Sequence, residues 1–241
     1  MRTNTRDIEY MREALELARR GEYSTSPNPA VGCVIVKDDE IIGRGFHHLA
    51  GENHAEIEAI RDAGDRTKMA TAYVTLEPCS HKGRTGPCVE ALISAGISRV
   101  VYACGDPNPK VSGTGHRTLC DAGIDVLSGV CEMEALELNQ GFIKRMAKGQ
   151  PYVRLKMAMS LDGAMAMASG ESKWITGEAA RSDGHRLRAL SCGVMTGIGT
   201  VLADDPLLNA REKTPQMRGR EVTRIILDTH LRCPSSARLF T

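Results

Sequence analysis

The stretch Thr71–Cys104 reads TAYVTLEPCSHKGRTGPCVEALISAGISRVVYAC. Thr71–Leu76 is a β-rich run and Val100–Ala103 is a second. Residues 88–95 between them read as a helix, with Gly96 as its stop. Strand, helix and strand in that order is the repeating unit of layered α/β folds. Of the three cysteines in the stretch, two, Cys79 and Cys88, are each preceded by proline.

The same grammar extends in both directions. Upstream, Ile8, Met11, Leu15 and Ala18 share one face of a helix over 7–20 that Gly21 closes. Pro27-Asn28-Pro29 is a rigid loop. Val31–Val36 is a strand, residues 37–40 a turn, and Ile41–His47 its hairpin partner. His54–Ala63 has helical spacing. Downstream come a short helix near 115–122, a strand near 124–128 and one long helix over 132–147. A polar stretch over 144–151 marks a boundary between domains 1–148 and 149–241. The second domain opens with a strand over Tyr152–Met159. A Gly-Ser-rich turn, a helix near 177–190, a strand near 193–197, a polar loop over 211–221 and a strand over 223–228 follow. The alternation predicts α/β layers on a largely parallel sheet.

The chain has 241 residues, 41% of them hydrophobic, which is enough to bury a substantial core. A formal charge of +1 gives no footprint for nucleic acid or for a membrane surface. Residues 1–148 carry −3 and residues 149–241 carry +4. The basic second half suits a phosphorylated ligand, although ordinary surface variation accounts for the difference as simply. No apolar h-region and no membrane-length apolar run is visible, so the expected compartment is the cytoplasm. There the eight cysteines are expected to stay reduced. Cys33, Cys104, Cys120, Cys131, Cys192 and Cys233 read mostly as small core residues.

The remaining two cysteines carry chemistry. His54-Ala55-Glu56, Pro78-Cys79 and Pro87-Cys88 supply one imidazole, one carboxylate and two thiols. His54, Cys79 and Cys88 are preferred zinc ligands, and three of them leave a fourth position for water. Glu56, two residues after His54, can sit beside that water without binding the metal and carry protons to a leaving amine. The set points to hydrolytic deamination of an amino-heterocycle. A closed structural site with His81 or His47 as fourth ligand would leave Glu56 without a role. The loop Ser80–Gly86 between the thiols concentrates cationic and hydroxyl donors suited to a phosphate or a polar ring.

Further segments carry a resemblance. Asn28-Pro29-x-Val31-Gly32, His54-Ala55-Glu56, Thr75–His81 and Gly83-Arg84-Thr85-x-Pro87-Cys88 resemble the bifunctional riboflavin-biosynthesis deaminase–reductases. Asp106-Pro107-Asn108-Pro109 and Leu138-Asn139-x-Gly141-Phe142 fit the same pattern, as does the long spacing between the thiols. The resemblance implies a three-layer α/β/α cytidine-deaminase-like domain followed by a dihydrofolate-reductase-like α/β domain. It implies zinc and NADPH as cofactors, and a homo-oligomer. The implied substrate is a phosphorylated pyrimidine, 2,5-diamino-6-(5-phosphoribosylamino)pyrimidin-4(3H)-one, with Asn28, His47, His81 and Arg84 contacting its ring or ribose phosphate. In the second domain, Lys156-x-x-x-Ser160-x-Asp162-Gly163, Ser169–Ser172 with Trp174-Ile175-Thr176, and Thr200-Val201-x-x-Asp204-Asp205-Pro206-x-Leu208 resemble the family's reductase. By that likeness Ala158, Trp174, Thr200, Asp204 and Thr229 line NADPH, and Ser172, Arg188, Leu208 and Arg211 face the substrate. The family's reductase continues for about another hundred residues, so a complete deaminase and an incomplete reductase are expected here.

Two other functions compete. A nucleic-acid base deaminase, such as a tRNA adenosine deaminase, shares the chemistry but is expected to have a C-x-x-C pair and a basic face. A non-catalytic zinc-stabilised interaction module is expected to have four protein ligands and no open position.

Overall fold

The described residues, 4–81, 86–109, 111–211 and 221–241 of a computed structural model, fall into two units, Met1–Tyr152 and Val153–Thr241. The first unit is built on five strands: β1 (Gly32–Lys37), β2 (Glu40–Phe46), β3 (Thr71–Leu76), β4 (Arg99–Cys104) and β5 (Asp125–Ser128). Their order in the sheet is β2-β1-β3-β4-β5.

Strand β1 is antiparallel to both neighbours, while β3-β4 and β4-β5 are parallel. The sheet is therefore mixed, not largely parallel. The cause lies in the turn. Asp38 and Asp39 both have positive φ, 49° and 65°, the conformation of a tight hairpin turn that returns the chain beside itself. Helix α2 (Ala55–Ala63) then carries the chain across β1 to β3.

Strand periodicity sorts the core into two faces. Cys33, Ile35, Ala72, Val74, Val100 and Tyr102 pack against α2, α3 (Cys88–Ser94) and α4 (Thr114–Asp121). Val34, Val36, Tyr73, Val101 and Ala103 pack against α1 (Thr5–Arg19) and α5 (Glu132–Leu138). The result is three layers, α/β/α. Gly45 lets α2 lie directly on β2: a Cβ there would meet the Ala55 carbonyl oxygen at 2.2 Å and the Ala59 nitrogen at 2.4 Å.

Helix α1 begins with a capping box formed by Asn4 and Asp7. The buried Asp7 carboxylate also accepts from Tyr73 at 2.9 Å and from both terminal nitrogens of Arg99 at 2.8 and 3.1 Å. Burial pushes this carboxyl up, but the bonds from Arg99, Tyr73 and the Asn4 amide outweigh it and hold it below the usual carboxylate range. Asp7→Ala is expected to cost about 3 kcal/mol in urea unfolding, the lower end for a broken buried pair, because Arg99 keeps some solvent contact. The folded carboxyl binds its proton less tightly than the unfolded one. Its stabilisation is thus complete above the unfolded value, near pH 4, and fades as pH falls through the lower folded value. The acid limb of wild-type stability should flatten in the variant.

Two expected elements differ. The helix over 132–147 is two helices, α5 and α6 (Gln140–Lys148), broken at Asn139, whose φ and ψ are −114° and 27°. The Asn139 side chain is tied to the Ala30 backbone instead. Residues 152–159 form no strand. Val153 and Leu155 are 75% and 82% exposed, so no apolar burial offsets the entropy of ordering that stretch.

The second unit contains α7 (Glu178–Ala189), β6 (Gly193–Gly197), α8 (Ile198–Asp204) and β7 (Thr223–Leu227). Strands β6 and β7 pair in parallel, and α8 lies in the crossover connection that such pairing needs. Ile198, Val201, Ala237 and Leu239 form its buried cluster. Of the residues expected in a polar loop over 211–221, those at 212–220 lie outside the described residues. Among the other cysteines, Cys33 and Cys104 are buried as expected, but Cys120 and Cys192 are exposed. No described helix is long and apolar enough to cross a membrane.

Candidate metal centre and active site

The site lies at two helix starts and one strand end. His54 is the N-cap of α2, in extended conformation, so its ring projects from the helix end. Cys88 is the first residue of α3, behind Pro87, a place where backbone amides favour thiolate. Cys79 lies in the loop that follows β3. His54 Nδ1 is 3.1 Å from Cys88 Sγ and 3.5 Å from Cys79 Sγ. The Cys88 amide donates to Cys79 Sγ at 3.4 Å. All three donor atoms lie within 4.8 Å of one another.

This donor set fits zinc. Tetrahedral coordination by nitrogen and sulfur at ordinary bond lengths puts ligand atoms about 3.3–3.8 Å apart, and the His54 separations match that range or fall just below it. Sulfur and imidazole together select a soft or borderline cation over calcium or magnesium. Hydrogen bonding with Cys88, then with His54, pulls the Cys79 thiol down, whereas its bond to Cys79, then burial, pushes Cys88 up.

Glu56 is the second residue of α2 and is buried. Burial, then the charge of Cys79, raises its carboxyl above the usual range. It also hydrogen-bonds Cys88. One carboxyl group is therefore sequestered against the metal ligands with a heightened appetite for a proton.

Asn28 and His47 meet on the same side as His54, whose ring stands edge-on to His47 at a centroid distance of 5.5 Å. His47 is buried, which lowers its proton affinity and keeps it neutral. Its Nδ1 donates to the Asn53 carbonyl at 2.9 Å, so Nε2 must accept from Asn28 Nδ2 at 3.1 Å. Both ring nitrogens are engaged, which removes His47 from the fourth-ligand role. His81 Nδ1 is buried without a partner among the described residues. Arg84 lies outside the described residues.

Several supports were not identified as such from sequence. Glu77 accepts from the amides of Asp106, Gly113 and His116 at 3.3, 3.0 and 3.1 Å. It caps α4, whose own N-cap, Gly113, has no side chain. That ties the Pro78-Cys79 turn to α4. A Cβ at Gly115 would meet the Pro78 carbonyl oxygen at 2.1 Å. Burial raises Asp106 to about 6. Glu58 accepts from Asn53 Nδ2 at 2.8 Å beside His54. Glu77 stands next to Pro78-Cys79 and was visible there, but nothing in its spacing reveals three distant backbone donors.

In the second unit, Thr200 and Asp204 are exposed on α8 one turn apart, and Thr229 follows β7. Thr200 and Thr229 thus lie just beyond the carboxyl ends of two parallel strands, where α/β sheets gather ligands. Trp174 is exposed and carries the Arg181 guanidinium 4.4 Å above its ring. Ala158 is half-buried in the stretch 152–159, which forms no strand, and Ser172 is half-buried too. Arg188 donates to the Asn209 carbonyl at 3.2 Å, and Arg211 bonds the Asn209 side chain at 3.4 Å. Burial and then the charge of Arg211 lower the Arg188 proton affinity. Arg188 and Arg211 thus meet at Asn209 in one cationic corner, and Leu208, the residue before Asn209, is buried.

Comparison with known proteins defines the class first. Residues 4–104 match the family described as the cytidine and deoxycytidylate deaminase zinc-binding region, and residues 151–241 match the RibD C-terminal domain. A dihydrofolate-reductase-like fold is thereby assigned to the second unit. The chain belongs to the RibD family of riboflavin-biosynthesis proteins. It is 56% identical to the solved Acinetobacter baumannii RibD, with a TM-score of 0.93 over 98% of this chain and 67% of that one. A Thermotoga maritima structure, described as a diaminohydroxyphosphoribosylaminopyrimidine deaminase/5-amino-6-(5-phosphoribosylamino)uracil reductase, gives 42% identity and a TM-score of 0.90, again over 98% of this chain and 67% of that one. The riboflavin biosynthesis protein RibD of Escherichia coli (strain K12) is 55% identical over 235 residues, 94% of this chain and 64% of the relative. This chain thus spans about two-thirds of the length of the relatives it matches.

Proposed function

We propose that the first unit is a zinc-dependent hydrolase that deaminates 2,5-diamino-6-(5-phosphoribosylamino)pyrimidin-4(3H)-one at the carbon bearing the 2-amino group. The observation that carries this reading is the meeting of His54, Cys79 and Cys88 within 4.8 Å, with the buried Glu56 against Cys88. His54, Cys79 and Cys88 hold the zinc. When bound, it supplies Lewis-acid activation of water at neutral pH.

The protein's own groups do the rest. Glu56 takes a proton from the attacking water, passes it to the ring, and later delivers a proton to the departing amine. A C–O bond forms, the exocyclic C–N bond breaks, and ammonia leaves. Asn28, oriented by neutral His47, fixes the polar ring, with His81 and Arg84 serving the ring or its ribose phosphate. The ring carbon and the attacking water must be held in register, because a misplacement of about 1 Å costs about a hundredfold in rate.

For the second unit, the reading is an NADPH-dependent reductase portion that converts the ribosyl group to ribityl by hydride transfer. Ala158, Trp174, Thr200, Asp204 and Thr229 would line the cofactor, which supplies the hydride. Ser172, Arg188, Leu208 and Arg211 would face the phosphorylated sugar, where the paired arginines suit a phosphate. A homo-oligomer accords with this reading. The 67% coverage of the solved relatives makes reduction a property to be tested on this chain directly.

The test is a zinc-loaded sample given the diaminopyrimidine phosphate. Ammonia should appear in one-to-one ratio with substrate lost, and NADPH should then be consumed with the deaminated product. A folded, fully zinc-loaded chain that releases no ammonia overturns the deaminase assignment. A nucleic-acid base deaminase would instead act on an RNA adenosine.

A further inference from the structure

We propose that Asn139 is a positioning residue of the deaminase site, clamping Ala30 and thereby setting the Asn28 amide against His47. The proposal rests on the deaminase reading above.

The motif Leu138-Asn139-x-Gly141-Phe142 has no role in the metal centre, yet it marks the one place where an otherwise continuous helical run is broken. Asn139 Oδ1 accepts from the Ala30 amide at 2.8 Å, and Asn139 Nδ2 donates to the Ala30 carbonyl at 2.9 Å. The side chain therefore satisfies both backbone groups of one residue, as a neighbouring strand would. Asn139 and Ala30 are only 5% and 4% exposed. Buried backbone groups left unpaired are costly, so the bidentate contact fixes Ala30 in place.

Ala30 is two residues from Asn28 and joins it to β1. The segment is held at its other points too. The Asn28 amide donates to the Thr25 carbonyl at 2.8 Å, and the His47 amide donates to the Val31 carbonyl at 2.9 Å. Arg145 of α6 reaches the Pro27 carbonyl at 3.1 Å. Interrupting the helix frees Asn139 to reach across 109 residues of sequence to this loop. Without the clamp, no other hydrogen bond among the described residues holds the Ala30 backbone, and the Asn28 side chain loses its fixed bearing on His47.

The test is a double-mutant cycle on the zinc-loaded chain with the diaminopyrimidine phosphate. Asn139→Ala should lower kcat/KM about 10- to 100-fold, mainly through KM, with zinc content unchanged. In the Asn28→Ala background, the same substitution should change kcat/KM less than about twofold, because the residue it acts through is gone. Asn139→Asp, which fills the same volume and keeps the acceptor for the Ala30 amide, should give a partial loss. An equal fall in both backgrounds, loss of zinc, or loss of fold in both Asn139 variants overturns the proposal. Wild-type protein that binds zinc and releases no ammonia overturns the deaminase reading instead.

Discussion

Glu56→Gln should lower kcat for ammonia release by about 10²–10⁴-fold, the contribution of a positioned general acid–base. Glutamine keeps the length and volume of glutamate, so the buried seat in α2 is preserved and Tm should hold. It cannot accept and return a proton. Zinc content should be unchanged, because the three proposed ligands are His54, Cys79 and Cys88. The wild-type pH profile carries a matching signature. Burial and the Cys79 charge raise the Glu56 carboxyl. The base form is therefore lost on the acid side at a pH above the ordinary carboxylate value, and that limb should vanish from the residual activity of the glutamine variant. Steady-state ammonia release across pH reads both effects. Near-normal turnover by Glu56→Gln would remove this carboxylate from the mechanism.

Cys79→Ser should abolish deamination by removing the metal. A hydroxyl is a poor substitute for a thiolate on zinc, and loss of a direct ligand should exceed the 10–100-fold fall in affinity that outer-shell changes cause. The fold should survive, because both apolar clusters of the first unit are built from strands and helices without help from the ion. Metal analysis after dialysis should find the variant depleted, while far-UV circular dichroism matches wild type. A variant that retains stoichiometric zinc would show that Cys79 is not a ligand. A variant that unfolds on losing zinc would instead make the site structural, as in small metal-dependent domains.

The readable parts of the fold were those in which adjacent residues carry the signal. Thr71–Leu76 reads as a strand from composition and is one. The sequence His54-Ala55-Glu56 fixes the relation of imidazole and carboxylate, since two residues at a helix start cannot move far apart. The helix break at Asn139 was not readable: Glu132–Lys148 has good helical periodicity, and the competing hydrogen bonds come from Ala30, far away in sequence. The β1–β2 hairpin was legible, but the make-up of the sheet was misread for a related reason. Helix–strand alternation suggests a largely parallel sheet, whereas β1 lies between β2 and β3 and is antiparallel to both. The stretch 152–159 has a strand's alternation but no ladder, because pairing is not encoded in one segment alone.

Residue types, their order and their local spacing carry the proposed chemistry: one imidazole, two thiols and one acid, placed at the starts of helices and the end of a strand. Convergence was another matter. The approach of Cys88 to His54, the neutral tautomer of His47, the cap that Glu77 lends to α4 and the grip of Asn139 on Ala30 all join groups distant along the chain. Such contacts depend on how the sheet faces bring their helices together, and short-range propensity carries no information about that packing.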